Sequence, residues 1–215
     1  MRIFRAQAGL ALLRVGLHLL YGALQVALLY PLASASRRQR LRSRWSLGLL
    51  GLLGIRIEGA EGIAPALEGG LLVANHISFV DIFLINALLP SAFVAKSDVA
   101  GWPLIGWLAR RNDTVFIERG NRKAAQHARE QMLSALGNGQ RLAIFPEGTT
   151  TAGDRVLPFH GALFQGAIDA AIPVHALALS YQDMNGIRSE APAYIDEIRL
   201  IDCLRAILRT RGIVA

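Results

Sequence analysis

The run Gly70-Leu71-Leu72-Val73-Ala74-Asn75-His76-Ile77-Ser78-Phe79-Val80-Asp81 constrains this chain more than any other stretch. Leu71 to Ala74 is short, continuous and apolar, the pattern of a strand buried on both faces. From Phe79 the period changes, and Phe79, Ile82, Phe83, Ile85 and Leu88 recur at helical spacing up to Pro90. A buried strand therefore hands over directly to a helix, with His76 at the junction and Asp81 in the first helical turn. An imidazole and a carboxylate so placed sit at one mouth of a sheet, close enough for the carboxylate to hold a ring N–H, which suits a general base. The same spacing fits a capping box, in which Ser78 caps the helix and Asp81 reaches back to its first amide. Spacing alone leaves both readings open.

Beyond residue 55 short apolar runs alternate with helical segments, which predicts an α/β fold: a mixed, mostly parallel sheet flanked by helices. The predicted strands are Ile55–Glu58, Leu71–Ala74, Ala92–Ala95, Thr114–Ile117, Leu142–Phe145, Val174–Ser180 and Tyr194–Leu200. Asn121–Leu136 reads as an amphipathic helix, with Ala128 and Met132 inward, His127 on its polar side and Gly137-Asn138-Gly139 ending it. Leu157–Ala170 reads as another, stopped before Pro173.

Residues 1–54 form a separate N-terminal unit ahead of an α/β domain at 55–215. Val15 to Ser36 carries no full charge apart from a protonated His18, and Arg37-Arg38-Gln39-Arg40-Leu41-Arg42-Ser43-Arg44 follows it. Together with the apolar segment Trp45–Ile55, this predicts a hydrophobic helical hairpin on an anionic membrane surface, its arginines at the headgroups. The competing reading is a helix pair packed on the domain core. A net charge of +7 agrees with an anionic partner. The leucines flanking the arginines, without interleaved exposed aromatics, argue against nucleic acid. The single Cys203 excludes an internal disulfide and agrees with the cytoplasmic face of an inner membrane.

Two further clusters stand at predicted strand ends. Phe145-Pro146-Glu147-Gly148-Thr149 closes one strand at the edge where open α/β sheets bind ligands. There Gly148 permits close backbone approach, and Glu147 is costly to bury unpaired. Val115-Phe116-Ile117-Glu118-Arg119 delivers Arg119 to the same edge, and Arg is suited to forked phosphate recognition. Taken alone, each cluster also reads as a structural turn or a surface ion pair.

In this order the blocks resemble the glycerolipid acyltransferases of the lysophosphatidate acyltransferase family. Asn75-His76-Ile77-Ser78-Phe79-Val80-Asp81 resembles the first block, Phe116-Ile117-Glu118-Arg119 the second, Phe145-Pro146-Glu147-Gly148-Thr149 the third and Ala171-Ile172-Pro173-Val174 the fourth. The resemblance implies direct transfer of a fatty acyl chain from acyl-carrier-protein or coenzyme A to a lysolipid hydroxyl, without metal or cofactor. His76 would be the base and Asp81 its orienter, Glu147, Gly148 and Thr149 would shape the acceptor site, and Arg119 with Lys96 would hold the acceptor phosphate. Two departures stand out: Thr150-Thr151 where the third block usually continues with Arg, and Phe159-His160 for a usual Phe-Lys pair. The Thr-Thr form also resembles the branch that acylates lyso-ornithine lipid. A membrane-binding scaffold and a lipase-like hydrolase are the readings from other classes. Ile213-Val214-Ala215 looks like a strand just beginning, so a closing edge strand is expected to be incomplete.

Overall fold

In a computed structural model, residues 2–60, 63, 69–118, 122–195, 197–210 and 212–215 are described. The elements run α1 (Arg2–Leu28), a 3-10 turn at Tyr30–Leu32, α2 (Ala35–Leu53), β1 (Ile55–Arg56), β2 (Gly70–Ala74) and α3 (Val80–Leu88). After them come β3 (Ala92–Lys96), α4 (Ser97–Ala100), α5 (Ile105–Arg111), β4 (Val115–Ile117), α6 (Arg122–Gly137) and β5 (Arg141–Ile144). A 3-10 turn at Gly161–Phe164 leads into α7 (Gln165–Asp169), β6 (Val174–Leu177), α8 (Leu200–Arg209) and β7 (Ile213–Val214).

The main sheet has the order β4-β3-β5-β2-β6, with every pairing parallel. Two inner strands, β2 and β5, align Gly70 with Arg141 and Val73 with Ile144, so both chains leave the sheet side by side at its carboxyl edge. Burial on both faces explains the continuous apolar run of β2, since a parallel sheet is covered by helices above and below. Leu71 and Val73 pack with Ala128, Met132 and Leu136 of α6, whereas Leu72 and Ala74 pack with Ile85 and Leu89 of the α3 side. The alternation is the two-residue period of a strand.

A third cluster ties the N-terminal helices into the domain. Leu49, Leu50 and Leu53 of α2 share a core with Val80 and Leu84 of α3, Ile207 of α8 and Ile213 of β7. Gly54 then turns the chain from α2 into β1 with φ +72, a left-handed cap that a side chain would strain. In turn α1 is fastened to α2 by a reciprocal pair: His18 Nε2–H donates to Trp45 O at 2.8 Å and Trp45 Nε1–H donates to His18 O at 3.0 Å, the rings stacked at 5.0 Å. The expected hairpin is present, and its second helix is a core element, as the competing reading required. Helix α1 differs: the stretch Gly9–Leu32 is long and apolar enough to cross a membrane by length and composition, and Leu13, Leu17, Leu20, Leu24 and Leu28 are exposed along it.

Six of the predicted strands form, and two segments depart from expectation. Tyr194–Leu200 is not a strand: the Tyr194 amide crosses to Ile77 O at 2.9 Å, and Leu200 already begins α8. Leu157–Ala170 is not one helix: residues 155–160 are irregular, anchored by Leu157 N–H on the Glu147 carboxylate and His160 N–H on Pro146 O, and Gly161–Phe164 is a 3-10 turn. Only Gln165–Asp169 is α-helical there. The terminal Ile213-Val214 does pair, parallel to Ile55-Arg56 of β1.

Because Leu50 sits 1 % exposed in the shared core, Leu50→Ala should lower the unfolding free energy of the whole chain by about 2–5 kcal/mol in detergent denaturation. An unchanged transition for the α/β elements would show α2 to be an appendage.

Candidate active site

The site is built where β2 and β5 end together. Asn75 extends β2 by one imitation rung: its Nδ2 donates to Leu179 O at 3.0 Å and its Oδ1 accepts from Leu179 N–H at 2.7 Å. The chain then turns at His76, Ile77 and Ser78 into α3. Asp81, wholly buried, answers that turn with one carboxylate oxygen, Oδ2, which accepts from Ile77 N–H at 2.7 Å and Ser78 N–H at 2.9 Å. Ser78 Oγ accepts from Val80 N–H at 3.2 Å, so the capping arrangement is real. The same Oδ2 stands 2.8 Å from His76 Nδ1. Asp81 therefore caps the helix and orients the imidazole at once. Its second oxygen, Oδ1, accepts from the Tyr181 hydroxyl at 2.6 Å.

This geometry fixes the histidine. A carboxylate can only accept, so Nδ1 carries the ring proton and Nε2 keeps a lone pair. One face of the ring lies against Phe145, centroids 3.9 Å apart and planes 10° apart. The side chain is 19 % exposed, and Nε2 meets no protein hydrogen-bond partner among the described residues. An oriented, partly open imidazole with a free Nε2 can take a proton from a hydroxyl held in front of it.

Glu147, from the end of β5, lies buried beside it. Oε1 accepts from the His76 backbone N–H at 2.7 Å and Oε2 from Leu157 N–H at 2.7 Å, so each oxygen is occupied by an amide. Charge-assisted bonds of this kind offset the cost of burying a carboxylate. Thr151 N–H donates to His76 O at 2.9 Å, and Thr150 Oγ donates to Tyr194 O. Both threonines are turned inward. Gly153, at φ +76, lets this loop pass over Ile77, where an added Cβ would stand 3.0 Å from Ile77 Cδ1.

His76, Asp81 and Glu147 are thus brought into one cluster, and Gly148 and Thr149 occupy the adjoining turn, with Thr149 exposed. The Gly148 amide is used within that turn, donating to Phe145 O at 3.0 Å. Lys96 ends β3 at the same carboxyl edge, exposed, its side chain without a hydrogen bond or ion pair among the described residues. Arg119 lies outside the described residues. Tyr181 and the packing of Phe145 on the imidazole escaped the sequence reading; the signal that could have found Tyr181 is a polar-tipped aromatic just past an apolar strand at the binding edge. Cys203 packs on α8 with Sγ 3.5 Å from Pro192 O, and burial pushes its thiol up to about 11. Among the described residues no three His, Cys, Asp or Glu side chains gather as metal ligands would.

Comparison with known proteins follows the same outline. The model of one protein family, described as Acyltransferase, matches residues 54–180. The chain is 40 % identical over 157 residues to a 1-acyl-sn-glycerol-3-phosphate acyltransferase of Neisseria meningitidis, covering 73 % of this chain and 61 % of that protein. It is 38 % identical over 172 residues to a lyso-ornithine lipid O-acyltransferase of Pseudomonas aeruginosa, covering 80 % and 65 %. The chain therefore spans less than two thirds of either relative. The crystal structure of a 1-acyl-sn-glycerophosphate acyltransferase from Thermotoga maritima superposes with a TM-score of 0.63 at 26 % identity, over 81 % of this chain and 73 % of that one.

Two outcomes follow from the cluster. Glu147→Ala should speed amide hydrogen exchange at His76 and Leu157 by about tenfold or more, since each loses a bond of roughly 1.5–3 kcal/mol. At pH 8 Cys203, buried and protonated, should resist alkylation in the folded protein and react only after unfolding.

Proposed function

The chain belongs to the Acyltransferase family, and from that premise we propose that it transfers a fatty acyl group from an acyl-carrier-protein or coenzyme A thioester to the free hydroxyl of lysophosphatidate. The observation that carries this reading is the His76–Asp81 pair at 2.8 Å, with Nδ1 committed to the carboxylate and Nε2 left as the base.

His76 Nε2 removes the proton of the acceptor hydroxyl as its oxygen attacks the thioester carbonyl. The tetrahedral intermediate collapses with loss of the thiolate, and the imidazolium returns the proton to the sulfur. No acyl-enzyme forms. Asp81 stabilises the imidazolium and keeps the ring in register, and the Phe145 face prevents it from tilting. Glu147 shapes the acceptor site indirectly, by fixing the loops on which His76, Gly148 and Thr149 sit. Arg119 and Lys96 supply cations for the acceptor phosphate. The exposed apolar ridge of α1 and the exposed Arg37, Arg40 and Arg44 that follow it support attachment to an anionic membrane surface.

One observation favours a second acceptor, lyso-ornithine lipid. Thr150 and Thr151 stand where a phosphate-binding family member commonly has Arg, and both are committed to backbone carbonyls or to the loop itself. The likeness to the lyso-ornithine lipid O-acyltransferase of Pseudomonas aeruginosa supports the same reading.

The test offers the full chain in liposomes labelled acyl thioesters of both kinds, with each lysolipid in turn. Diacyl product from lysophosphatidate, reduced about 10²–10⁴-fold by His76→Ala, is the expected result. Product from lyso-ornithine lipid alone would move the assignment to that acceptor. Free fatty acid in place of diacyl lipid would mean a hydrolase, and activity indifferent to His76→Ala would remove the base.

A further inference from the structure

The strand–turn–helix motif supplies three of the four donors to the Asp81 carboxylate; the fourth comes from far along the chain. Tyr181 follows β6, and its ring is 1 % exposed. Its backbone is held on both sides. Ser189 N–H donates to Tyr181 O at 2.8 Å, and the next residue, Gln182, exchanges two backbone bonds with Val214 of β7 at 2.8 and 2.9 Å. From that frame the phenolic O–H reaches Asp81 Oδ1 at 2.6 Å. Burial first, and the Asp81 charge second, hold the phenol well above its ordinary range, so it remains a donor at any pH at which the protein would work.

Among the described residues, three titratable groups bear on the pair. Glu147 holds the His76 backbone amide, Tyr181 holds Oδ1, and Cys203 lies beside Tyr181 as a neutral thiol. With His76 neutral and Asp81 ionised, the pair carries one negative charge, and uptake of a proton by either member removes it. A hydrogen bond donated to the carboxylate favours the anionic state over the protonated one, whichever member takes the proton. Ile77 and Ser78 amides do this from within the motif. Without Tyr181, Oδ1 would be a buried acceptor with no partner among the described residues, free to protonate or to rotate away from the ring.

We propose that Tyr181 is a positioning residue for His76: it holds Asp81 ionised and in plane, and so keeps the imidazole in its Nδ1–H form with Nε2 unprotonated. The proposal rests on reading His76 as the base. It also gives β7 a part in the site, because the pairing of Gln182 with Val214 anchors the segment that presents the phenol.

The experiment labels the histidines of the full chain in detergent micelles with ¹³C and ¹⁵N and follows the His76 ring through pH by NMR, which needs no substrate. In Tyr181→Phe the midpoint of proton uptake should rise by about one pH unit, as loss of a hydrogen bond to a charged group implies. In the transfer assay the acidic limb of kcat should move with it, and kcat should fall about tenfold near neutrality while the acceptor KM changes by less than about twofold. In an Asp81→Asn background Tyr181→Phe should add less than about a twofold loss, because the residue acts through Asp81. Should Tyr181→Phe fail to fold, 3,5-difluorotyrosine in place of Tyr181 keeps the volume and donates more strongly, and should lower the midpoint. An unmoved midpoint in these variants, or an equal loss in the Asp81→Asn background, would overturn the proposal. Full transfer activity in His76→Ala would instead overturn the base on which it rests, and the NMR midpoints would still decide whether Tyr181 governs the pair.

Discussion

A carboxylate with no exposure to water is the constraint on which the site depends. Among the described residues Asp81 has no cationic Lys or Arg partner; it is satisfied by two backbone amides, an imidazole N–H and a phenol, all between 2.6 and 2.9 Å. An unpartnered charge at that depth would neutralise or refuse burial, so each donor is needed for the others to be useful. The donors come from two places, the turn after β2 and the segment after β6, and meet a carboxylate carried by the first turn of α3. The carboxylate therefore welds the sheet edge to the helix and sets the direction of the histidine in the same act.

Glu147 repeats the device one strand away. It too is buried against amides, one from the His76 turn and one from the loop at Leu157. Parallel pairing of β2 with β5 is what makes this possible, since it delivers both turns to the same edge. Ser78, Asp81, Glu147 and Thr151 are all buried polar residues of this one region, in a protein whose remaining core is largely leucine, isoleucine, valine and alanine. Satisfied polar networks rigidify; here the rigid part is the frame around a histidine whose Nε2 stays open.

Sequence reasoning reached the local part of this arrangement. The change of period at Phe79 located the junction; the spacing of Ser78 and Asp81 raised the cap, and that of His76 and Asp81 the base. The structure contains the cap, and the oxygen that accepts from the two amides also stands 2.8 Å from the ring nitrogen, the placement the proposed base requires. Glu147 was legible as an edge residue, but its partners were not, for neither amide is marked by a side chain. Leu157–Ala170 has a helical pattern, yet tertiary bonds from Leu157 to Glu147 and from His160 to Pro146 hold its first residues in an irregular segment, with His160 extended. Tyr181 meets Asp81 across a separation of 100 residues, a distance at which no periodicity speaks. The hairpin was legible as helical and apolar. That α2 belongs to the core and α1 shows its leucines outward depended on packing against α3 and α8.

The central claim is that His76 rests in the Nδ1–H tautomer with Nε2 bare, and ring ¹⁵N chemical shifts at neutral pH test it most directly. The account predicts a protonated, pyrrole-type signal at Nδ1 coupled to the Asp81 hydrogen bond, and a pyridine-type signal at Nε2. A protonated Nε2, or averaged signals from a ring exchanging between tautomers, would contradict it and would leave the chain without an oriented base.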